Sequence, residues 1–140
     1  MTPGAARVVS PRTLVMAPGH RLVESYFDEA ILPRPSDAPM LVAPCSFNSL
    51  NKLAGGIADS LALSVTADMI GRGLPVVVAL SVNAPLWNHP RTRQSIAALR
   101  EWGVSVVEPA LENGEPTLAP TDIILGELRR QLAVATESPR

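Results

Sequence analysis

The chain has 140 residues, of which 46% are hydrophobic, and this length fits one domain that buries roughly two thirds of its unfolded surface. A formal net charge of -1 without a basic run argues against nucleic acid or an anionic membrane as a partner. No apolar stretch approaches the roughly 20 residues that cross a bilayer, and the start lacks the apolar segment of a signal peptide, so we expect a cytoplasmic protein.

Cysteine and histidine are scarce in this sequence. Cys45 is the single cysteine, which excludes an internal disulfide. With only His20 and His89 beside it, no residue spacing is typical of a metal site. We therefore predict no metal and assign no redox role to the thiol.

Prolines interrupt every candidate helix in the first part of the chain, at positions 3, 11, 18, 33, 35 and 39. We predict that residues 1–39 form an irregular segment of the same domain. The α/β domain itself is predicted over residues 40–135. Residues 136–140 are predicted to be a disordered tail.

From Met40 onward the sequence alternates between strand and helix patterns. Short apolar runs predict three buried strands, at Met40–Ala43, Val76–Leu80 and Val104–Val107. A single helix of about six turns is predicted between the first two strands, ending at Gly71 and Gly73. Its apolar residues at helical spacing are Leu50, Leu53, Ile57, Leu61, Val65 and Met69.

Two further helices follow the second and third strands. The first is predicted to begin at Pro90, to bury Ile96, Leu99 and Trp102, and to end at Gly103. The second is predicted to begin at Thr121. The apolar residues that it presents are Ile124, Leu125, Leu128 and Leu132.

This alternation implies right-handed βαβ crossovers and a parallel sheet with helices on both faces. The predicted fold class is therefore α/β, a Rossmann-like (flavodoxin-like) doubly wound sheet with three α/β/α layers. Ligands of such folds bind beyond the carboxyl ends of the strands. Two loops occupy that position, Pro44–Ser49 and Ser81–His89.

The first of these loops is rich in small polar side chains. Ser46, Asn48 and Ser49 precede a long helix, so they are able to cap that helix. The same side chains and the first backbone N–H groups of the helix are also able to hold a polar ligand edge or an anion. Local chemistry leaves both interpretations open.

The segment from Ala43 to Asp59 reads Ala-Pro-Cys-Ser-Phe-Asn-Ser-Leu-Asn-Lys-Leu-Ala-Gly-Gly-Ile-Ala-Asp. It resembles the signature of the homo-oligomeric flavin-containing cysteine decarboxylases, the phosphopantothenoylcysteine decarboxylase-like proteins. Their signature is a Pro-Ala-Ser-Ala-Asn-Thr loop followed by a Lys-Leu-Ala-x-Gly-Ile-Ala-Asp helix. Gly55 and Gly56 are costly inside a helix, which favours a helix pressed closely against a neighbour.

A second segment, Leu80-Ser-Val-Asn-Ala-Pro-Leu-Trp87 followed by His89-Pro90, resembles the family's Pro-x-Met-Asn-x-x-Met-Trp and His-Pro motif. The family's asparagine recognises the carboxylate or amide region of the substrate, so the resemblance makes Asn83 the candidate catalytic-site residue. The alternative is a turn residue at a strand end. We expect Trp87 in the core or an interface, and His89 at a helix start.

The resemblance implies an FMN-binding enzyme, a flavin-dependent decarboxylase-like lyase acting on a small carboxylated, cysteine-derived or peptide substrate. The opening Met1–Ala6 looks like the end of the family's second strand, which adds Thr2 to the implied flavin contacts. The implied flavin contacts are Thr2, Cys45, Ser46, Phe47, Asn48 and Ser49. The resemblance also implies a homo-trimer or higher oligomer, with a paralogue as a possible further subunit.

The sequence departs from the family pattern at three places. Aligned in this way, the chain is N-terminally shortened: it begins after the family's first strand and Gly-rich phosphate loop, so we expect an open sheet edge. Ala30 stands where the family has its catalytic histidine, and His20 lies too far upstream to replace it. Glu112–Pro120 has no counterpart of the cysteine in the family's substrate lid.

These departures keep three alternatives open. The chain is a non-catalytic or complementing subunit of a flavoprotein oligomer, or a flavin prenyltransferase-like protein, or its true start lies upstream of Met1. The loop Ser46-Phe-Asn-Ser-Leu-Asn-Lys52 also resembles flavoproteins with a Thr-Phe-Asn-Thr-Ile-Asn-Lys version of the signature. Each alternative retains the flavoprotein ancestry.

Overall fold

The structure is a computed structural model that describes residues 1–32 and 37–137. The helices in these ranges are α1 (Pro3–Ala6), α2 (Pro11–Leu14), α3 (Phe47–Ala54), α4 (Leu61–Gly71), α5 (Ala84–Trp87), α6 (Pro90–Glu101) and α7 (Thr121–Glu137). The strands are β1 (Met40–Cys45), β2 (Val76–Leu80), β3 (Ser105–Val107), β4 (Ala110–Glu112) and β5 (Glu115–Thr117).

Three parallel strands form the main sheet in the order β1-β2-β3. Val78 in the middle of β2 lies beside Val42 on one side and beside Val106 on the other. All of β2 is buried, as expected for a strand paired on both edges and covered on both faces. The register of β1 shifts between Val42 and Cys45, next to the cis Ala43–Pro44 peptide bond. The three predicted strands are confirmed.

Side chains of the sheet alternate between two cores. One core joins the sheet to α3, α4 and α6, and its buried members include Val76, Val78, Leu80, Leu50, Leu53, Leu63, Met69, Ile96 and Leu99. The other core lies at α7, where Ala79 of β2 packs with Ala119 and Ile124. Because helices cover both faces of a parallel sheet, the predicted doubly wound three-layer α/β/α fold is confirmed.

The single long helix predicted between β1 and β2 is wrong, because the chain breaks it into α3 and α4. The break is a Schellman motif: the N–H of Ile57 bonds to the carbonyl of Lys52, and the N–H of Gly56 to the carbonyl of Leu53. Gly56 adopts the left-handed φ of 69° that this motif needs. Ser60 then caps α4 by accepting a hydrogen bond from the N–H of Leu63.

The Lys and Asp of the first signature have a local role at this break. Lys52 on α3 forms an ion pair with Asp59 in the turn before α4, with Nζ 2.5 Å from Oδ2. Ile57, predicted to lie on the buried face of the long helix, is half exposed in the turn. Gly55 and Gly56 therefore end a helix. The prediction that they allow a helix to pack closely against a neighbour is wrong.

Two other parts of the sequence prediction need correction. Trp102 is 47% exposed, because α6 ends at Glu101 and the chain turns away at Gly103, whose φ is 84°. On α7 the buried apolar residue is Ile124, whereas Leu125 and Leu132 are exposed. The apolar face of α7 is narrower than its sequence indicates.

The sequence prediction missed the hairpin β4–β5. Its strands pair antiparallel, and the turn consists of Asn113 with φ 52° and Gly114 with φ 83°. Positive φ at both central residues is the feature for which an Asn-Gly pair is favoured in two-residue hairpins. β5 packs beside the short helix α5, which the sequence prediction also missed.

The N-terminal segment contains two four-residue helices rather than loop alone. Each begins at a proline, Pro3 and Pro11, where a missing N–H removes no helical hydrogen bond. Pro33 and Pro35 of the predicted irregular segment lie outside the described residues. At the other end, α7 extends through Glu137, two residues into the predicted tail, and residues 138–140 lie outside the described residues.

Candidate functional site

The two loops singled out in the sequence meet at the carboxyl edge of the sheet. The N–H of Ser81, just after β2, donates to the carbonyl of Cys45 at the end of β1 over 3.0 Å. Each loop leads directly into a helix, α3 after β1 and α5 after β2. Parallel neighbouring strands thus bring the two helix starts to one side of the molecule.

Ser46 is the N-cap of α3. Its Oγ accepts a hydrogen bond from the N–H of Ser49 at 3.3 Å and lies 3.2 Å from the Ser49 hydroxyl. Of the two open interpretations, capping is therefore present in the structure. Ser46 is exposed, and the N–H groups of Phe47 and Asn48 belong to the first turn, where a helix leaves its amides free.

Phe47 and Asn48 occupy the first turn of α3 in different ways. The Phe47 ring lies edge-to-face against the imidazole of His89, with centroids 5.3 Å apart and planes at 74°. Asn48 is exposed, and within the described part of the chain its side-chain amide has no hydrogen bond. This amide is free to bind a ligand.

Cys45 does not reach the surface of this site. The residue exposes none of its area and belongs to the core with Leu50 and Leu80. Burial raises the pKa of the thiol to about 12, so the group is neutral at physiological pH. The structure therefore places this implied flavin contact beneath the loop instead of on it.

Asn83 caps the other helix start. Its Oδ1 accepts from the N–H of Leu86 at 3.1 Å, which begins α5. The residue is exposed, and because the oxygen is engaged, the two N–H donors of the side-chain amide remain available. The local structural role named as the alternative is therefore present, and the assignment of Asn83 as a substrate contact stays a prediction.

His89 and Trp87 complete the second loop. His89 caps α6, as predicted, with Nδ1 accepting from the N–H of Arg91 at 3.1 Å. An accepting Nδ1 carries no proton, so the neutral ring holds its hydrogen on Nε2. Trp87 is half-buried against the main core, and the Arg93 guanidinium lies 5.9 Å from its ring centroid. This agrees with the packing role expected for Trp87.

Among the described residues, no hydrogen bond connects Thr2 to these two loops. Its Oγ1 accepts from the N–H of Ala5 at 3.3 Å and caps α1. The structure gives it this local role, and its assignment as a flavin contact stays a prediction.

An open cleft of about 640 Å³ lies elsewhere, between β3 and α7, and the predicted site residues do not line it. Its polar groups already bind one another: Glu127 accepts hydrogen bonds from Arg130, Ser105 and Gln131. The Arg130 hydrogen bond is the main reason that the pKa of Glu127 is lowered to about 2. We assign no ligand to this cleft, because the Glu127 carboxylate that lines it is already bound by three side chains of the chain.

Two possible kinds of site are not found among residues 1–32 and 37–137. No cluster of three histidine, cysteine or acidic side chains is suited to a metal ion. No helix in this part of the chain is long and apolar enough to span a membrane.

Comparison with known proteins identifies the family. The model of the Flavoprotein family matches residues 1–132. The chain belongs to the Flavoprotein family. The family predicted from the two loop signatures is thereby confirmed.

Relatives of this flavoprotein include a coenzyme A biosynthesis protein and a phosphopantothenoylcysteine decarboxylase. It is 30% identical over 117 residues to the coenzyme A biosynthesis bifunctional protein CoaBC of Bacillus subtilis strain 168, covering 79% of this chain and 28% of that protein. It is 31% identical over 96 residues to phosphopantothenoylcysteine decarboxylase HAL3 of Malus domestica, covering 64% of this chain and 44% of that protein. The chain thus spans less than half the length of these relatives.

Solved structures give the same family. The FMN-dependent cysteine decarboxylase SpaF aligns with a TM-score of 0.71 and 27% identity, over 94% of this chain and 77% of that one. A PPC decarboxylase C175S mutant complexed with pantothenoylaminoethenethiol aligns with a TM-score of 0.61 and 28% identity, over 74% of this chain and 57% of that one. The doubly wound flavoprotein fold of this chain is therefore shared with flavin-dependent decarboxylases.

Proposed function

We propose that this flavoprotein binds FMN at the loop after β1 and promotes flavin-dependent decarboxylation of a small cysteine-derived or otherwise carboxylated substrate held by Asn83. The observation that carries the proposal is the meeting of two helix starts at the carboxyl edge of the sheet. They expose the Asn48 amide, which has no hydrogen bond within the described residues, and the N–H donors of the Asn83 amide. The similarity to the FMN-dependent cysteine decarboxylase SpaF and to the phosphopantothenoylcysteine decarboxylase of Malus domestica supports the same chemistry.

The residues of the first loop suit a flavin ring. The Asn48 amide offers both a donor and an acceptor to the polar edge of the ring, and Phe47 offers an apolar surface beside it. Ser46, Ser49 and the first N–H groups of α3 add polar contacts at a helix N-terminus, which favours negative charge. Thr2 remains a proposed contact, and Cys45 supports the loop from below. Bound FMN supplies the electron acceptor for oxidation at the thiol-bearing carbon.

The side-chain amide of Asn83 is suited to orient a substrate carboxylate without binding it tightly. Its oxygen is held by the N–H of Leu86, which fixes the amide and leaves its N–H groups for the substrate. A neutral donor holds a carboxylate by hydrogen bonds and contributes less binding energy than a full positive charge. This permits carbon dioxide to leave once the adjoining bond breaks.

FMN binding is tested by titration of the protein with FMN, followed by flavin fluorescence and absorbance. Asn48→Ala is expected to weaken FMN binding by roughly threefold to tenfold, the effect of one lost hydrogen bond. Gln94→Ala is the matched control, because Gln94 is an exposed amide on α6 away from the loop. A wild-type protein that remains colourless and leaves FMN fluorescence unchanged would contradict the proposal.

The substrate role is tested with Asn83→Asp, which keeps the oxygen that caps α5 but places a negative charge opposite the substrate carboxylate. FMN binding and thermal unfolding are expected to stay near wild type, whereas carbon dioxide release falls by about 100-fold or more. The assay uses phosphopantothenoylcysteine and a peptide ending in cysteine. Retained FMN binding without turnover of either substrate by the wild type would favour the non-catalytic subunit.

Assembly and location belong to the same proposal. We include in it a homo-trimer or higher oligomer, with or without a paralogue. Large apolar side chains of the N-terminal segment are exposed to solvent and support such an assembly, among them Val8, Met16 and Phe27. A cytoplasmic location is also part of the proposal. Cell fractionation against compartment markers tests it, and recovery with a membrane fraction would contradict it.

A further inference from the structure

The helices that carry the two loops contact each other directly, α3 from the first loop and α6 from the second. Besides the apolar packing of the main core, an aromatic contact and a polar contact connect them. Phe47 meets His89 at the loop end of the helix pair, and Asn51 meets Ser95 deeper in the molecule. The second contact plays no part in the function proposed above.

The Asn51–Ser95 contact is a short polar bond in a buried place. The hydroxyl of Ser95 donates to Oδ1 of Asn51 over 2.7 Å, and Ser95 is only 1% exposed. The two residues are far apart in sequence, so the bond exists only because the two helices pack. A buried hydroxyl without its partner is destabilising, so the bond favours one arrangement of the helices over the others that apolar packing allows.

The position of Asn51 on its helix connects this bond to the loop. Phe47 and Asn51 are four residues apart on α3, so they lie on the same face, one turn from each other. That face meets α6 at both points. Fixing Asn51 against Ser95 therefore fixes the rotation of α3 about its axis, and with it the direction in which the first turn presents Phe47.

We propose that Asn51 and Ser95 form a positioning pair that holds Phe47 against His89 and thereby sets the spacing between the loop after β1 and the loop that carries Asn83. Neither residue touches the ligand. Their effect on FMN rests on the proposed function, because it assumes that FMN occupies the first loop. Their effect on Phe47 and His89 is a property of the chain alone.

Substitutions at Asn51 separate the hydrogen bond from packing. Asn51→Leu keeps the size of the side chain and removes the acceptor, whereas Asn51→Asp keeps an oxygen for the Ser95 hydroxyl and is the conservative rescue. Ser95→Ala removes the donor instead, should Asn51→Leu not fold. Thr66→Val is the matched control, because Thr66 is also a buried hydroxyl, 2% exposed, but bonds within α4 to the carbonyl of Ala62.

The first measurement needs no flavin. The protein has two histidines, so the imidazole protons of His89 are readily followed by NMR. Their ring-current shift is defined by comparison with Phe47→Leu. We expect Asn51→Leu and Ser95→Ala to move the His89 signal toward its position in Phe47→Leu, while Asn51→Asp and Thr66→Val leave it near wild type.

The second measurement is the dissociation constant for FMN, compared with the unfolding temperature of each variant. Asn51→Leu and Ser95→Ala are expected to weaken FMN binding by about threefold to tenfold. Thr66→Val should lower stability without this loss. Equal losses of FMN affinity in Thr66→Val and Asn51→Leu would show that the Asn51–Ser95 pair only stabilises the fold. This result would overturn the proposal.

The two measurements separate the two proposals. A His89 signal that stays at its wild-type position in Asn51→Leu and Ser95→Ala overturns the positioning pair, whatever the flavin result. Failure of the wild type to bind FMN overturns the proposed function, and the NMR comparison still decides the pair. Loss of the ring-current shift together with weaker FMN binding supports both.

Discussion

Ser46, Asn83 and His89 are each the N-cap of a helix at the carboxyl edge of the sheet. Asn83 and His89 each use one side-chain atom for the cap and keep another polar atom at the surface, whereas Ser46 caps with its only side-chain oxygen. A cap residue holds its side chain in one orientation, since the backbone N–H fixes one end of the group. For this reason capping and ligand binding are compatible roles, and the capped residue enters a binding event with little entropy to lose.

Cys45 shows the opposite case, in which a residue of the signature is removed from the surface. The thiol is buried below the loop and its pKa is raised to about 12. A thiolate is the reactive form, so both burial and protonation suppress its chemistry. The residue contributes to the core at the end of β1.

We expect the native thiol to resist labelling by a disulfide reagent at pH 8, whereas the protein unfolded in guanidinium reacts with one equivalent. The pKa also has a consequence for stability. Burial raises the pKa of the Cys45 thiol in the folded protein above its usual value of 9.0. The stability that the protonated thiol contributes is therefore complete below pH 9 and declines as the pH rises toward 12. Rapid stoichiometric labelling of the folded protein would show that Cys45 is accessible.

At the scale of elements, the break between α3 and α4 shapes the site. It limits α3 to eight residues, with Phe47 at its start and Asn51 one turn later, and the Lys52–Asp59 pair spans the turn. The break depends on Gly56, whose left-handed conformation is unfavourable for any residue with a Cβ. Space is not the constraint, since a Cβ at this position would meet no atom within 4 Å.

A pair of identical substitutions tests this account. Gly56→Ala is expected to lower the free energy of unfolding by about 1 kcal/mol, because alanine is strained at positive φ. Gly126→Ala is expected to raise it by about 0.5–1 kcal/mol, because Gly126 lies inside α7 with open space around it. Urea unfolding measures both. Equal effects of the same sign would mean that backbone conformation does not decide these positions.

At the scale of the whole molecule, apolar surface is unevenly distributed. The α/β body buries its apolar strands and helices in two cores, whereas the N-terminal segment exposes large side chains, with Phe27 at 86%. Several exposed apolar side chains on one segment are typical of a surface that another protein covers. The segment is therefore where we expect contacts between subunits.

Phe27→Asp is expected to shift the protein toward lower mass in sedimentation velocity, because a charge in an apolar interface opposes association. Gln94→Asp places the same charge at an exposed position of α6 and should leave the sedimentation profile unchanged. A monomeric wild type, or an unchanged profile for Phe27→Asp, would contradict the assignment of this segment to the interface.

The sequence by itself determined the parts of this protein that local patterns encode. The β-branched run Val76–Leu80 predicts a buried strand because few other structures bury every residue of such a run. Pro90 marks the start of α6, and the two loop signatures are sufficient for the family. The carboxyl-edge location of the candidate site also follows from strand order alone.

The tertiary structure decided the rest. Apolar spacing continues from α3 into α4, so periodicity cannot reveal the break, which depends on the backbone of Gly56. The burial of Cys45 depends on which side chains cover the end of β1. The Asn51–Ser95 bond joins residues that only helix packing brings together. Local sequence specifies the elements, whereas the burial and pairing of polar side chains depend on contacts between elements distant in the chain.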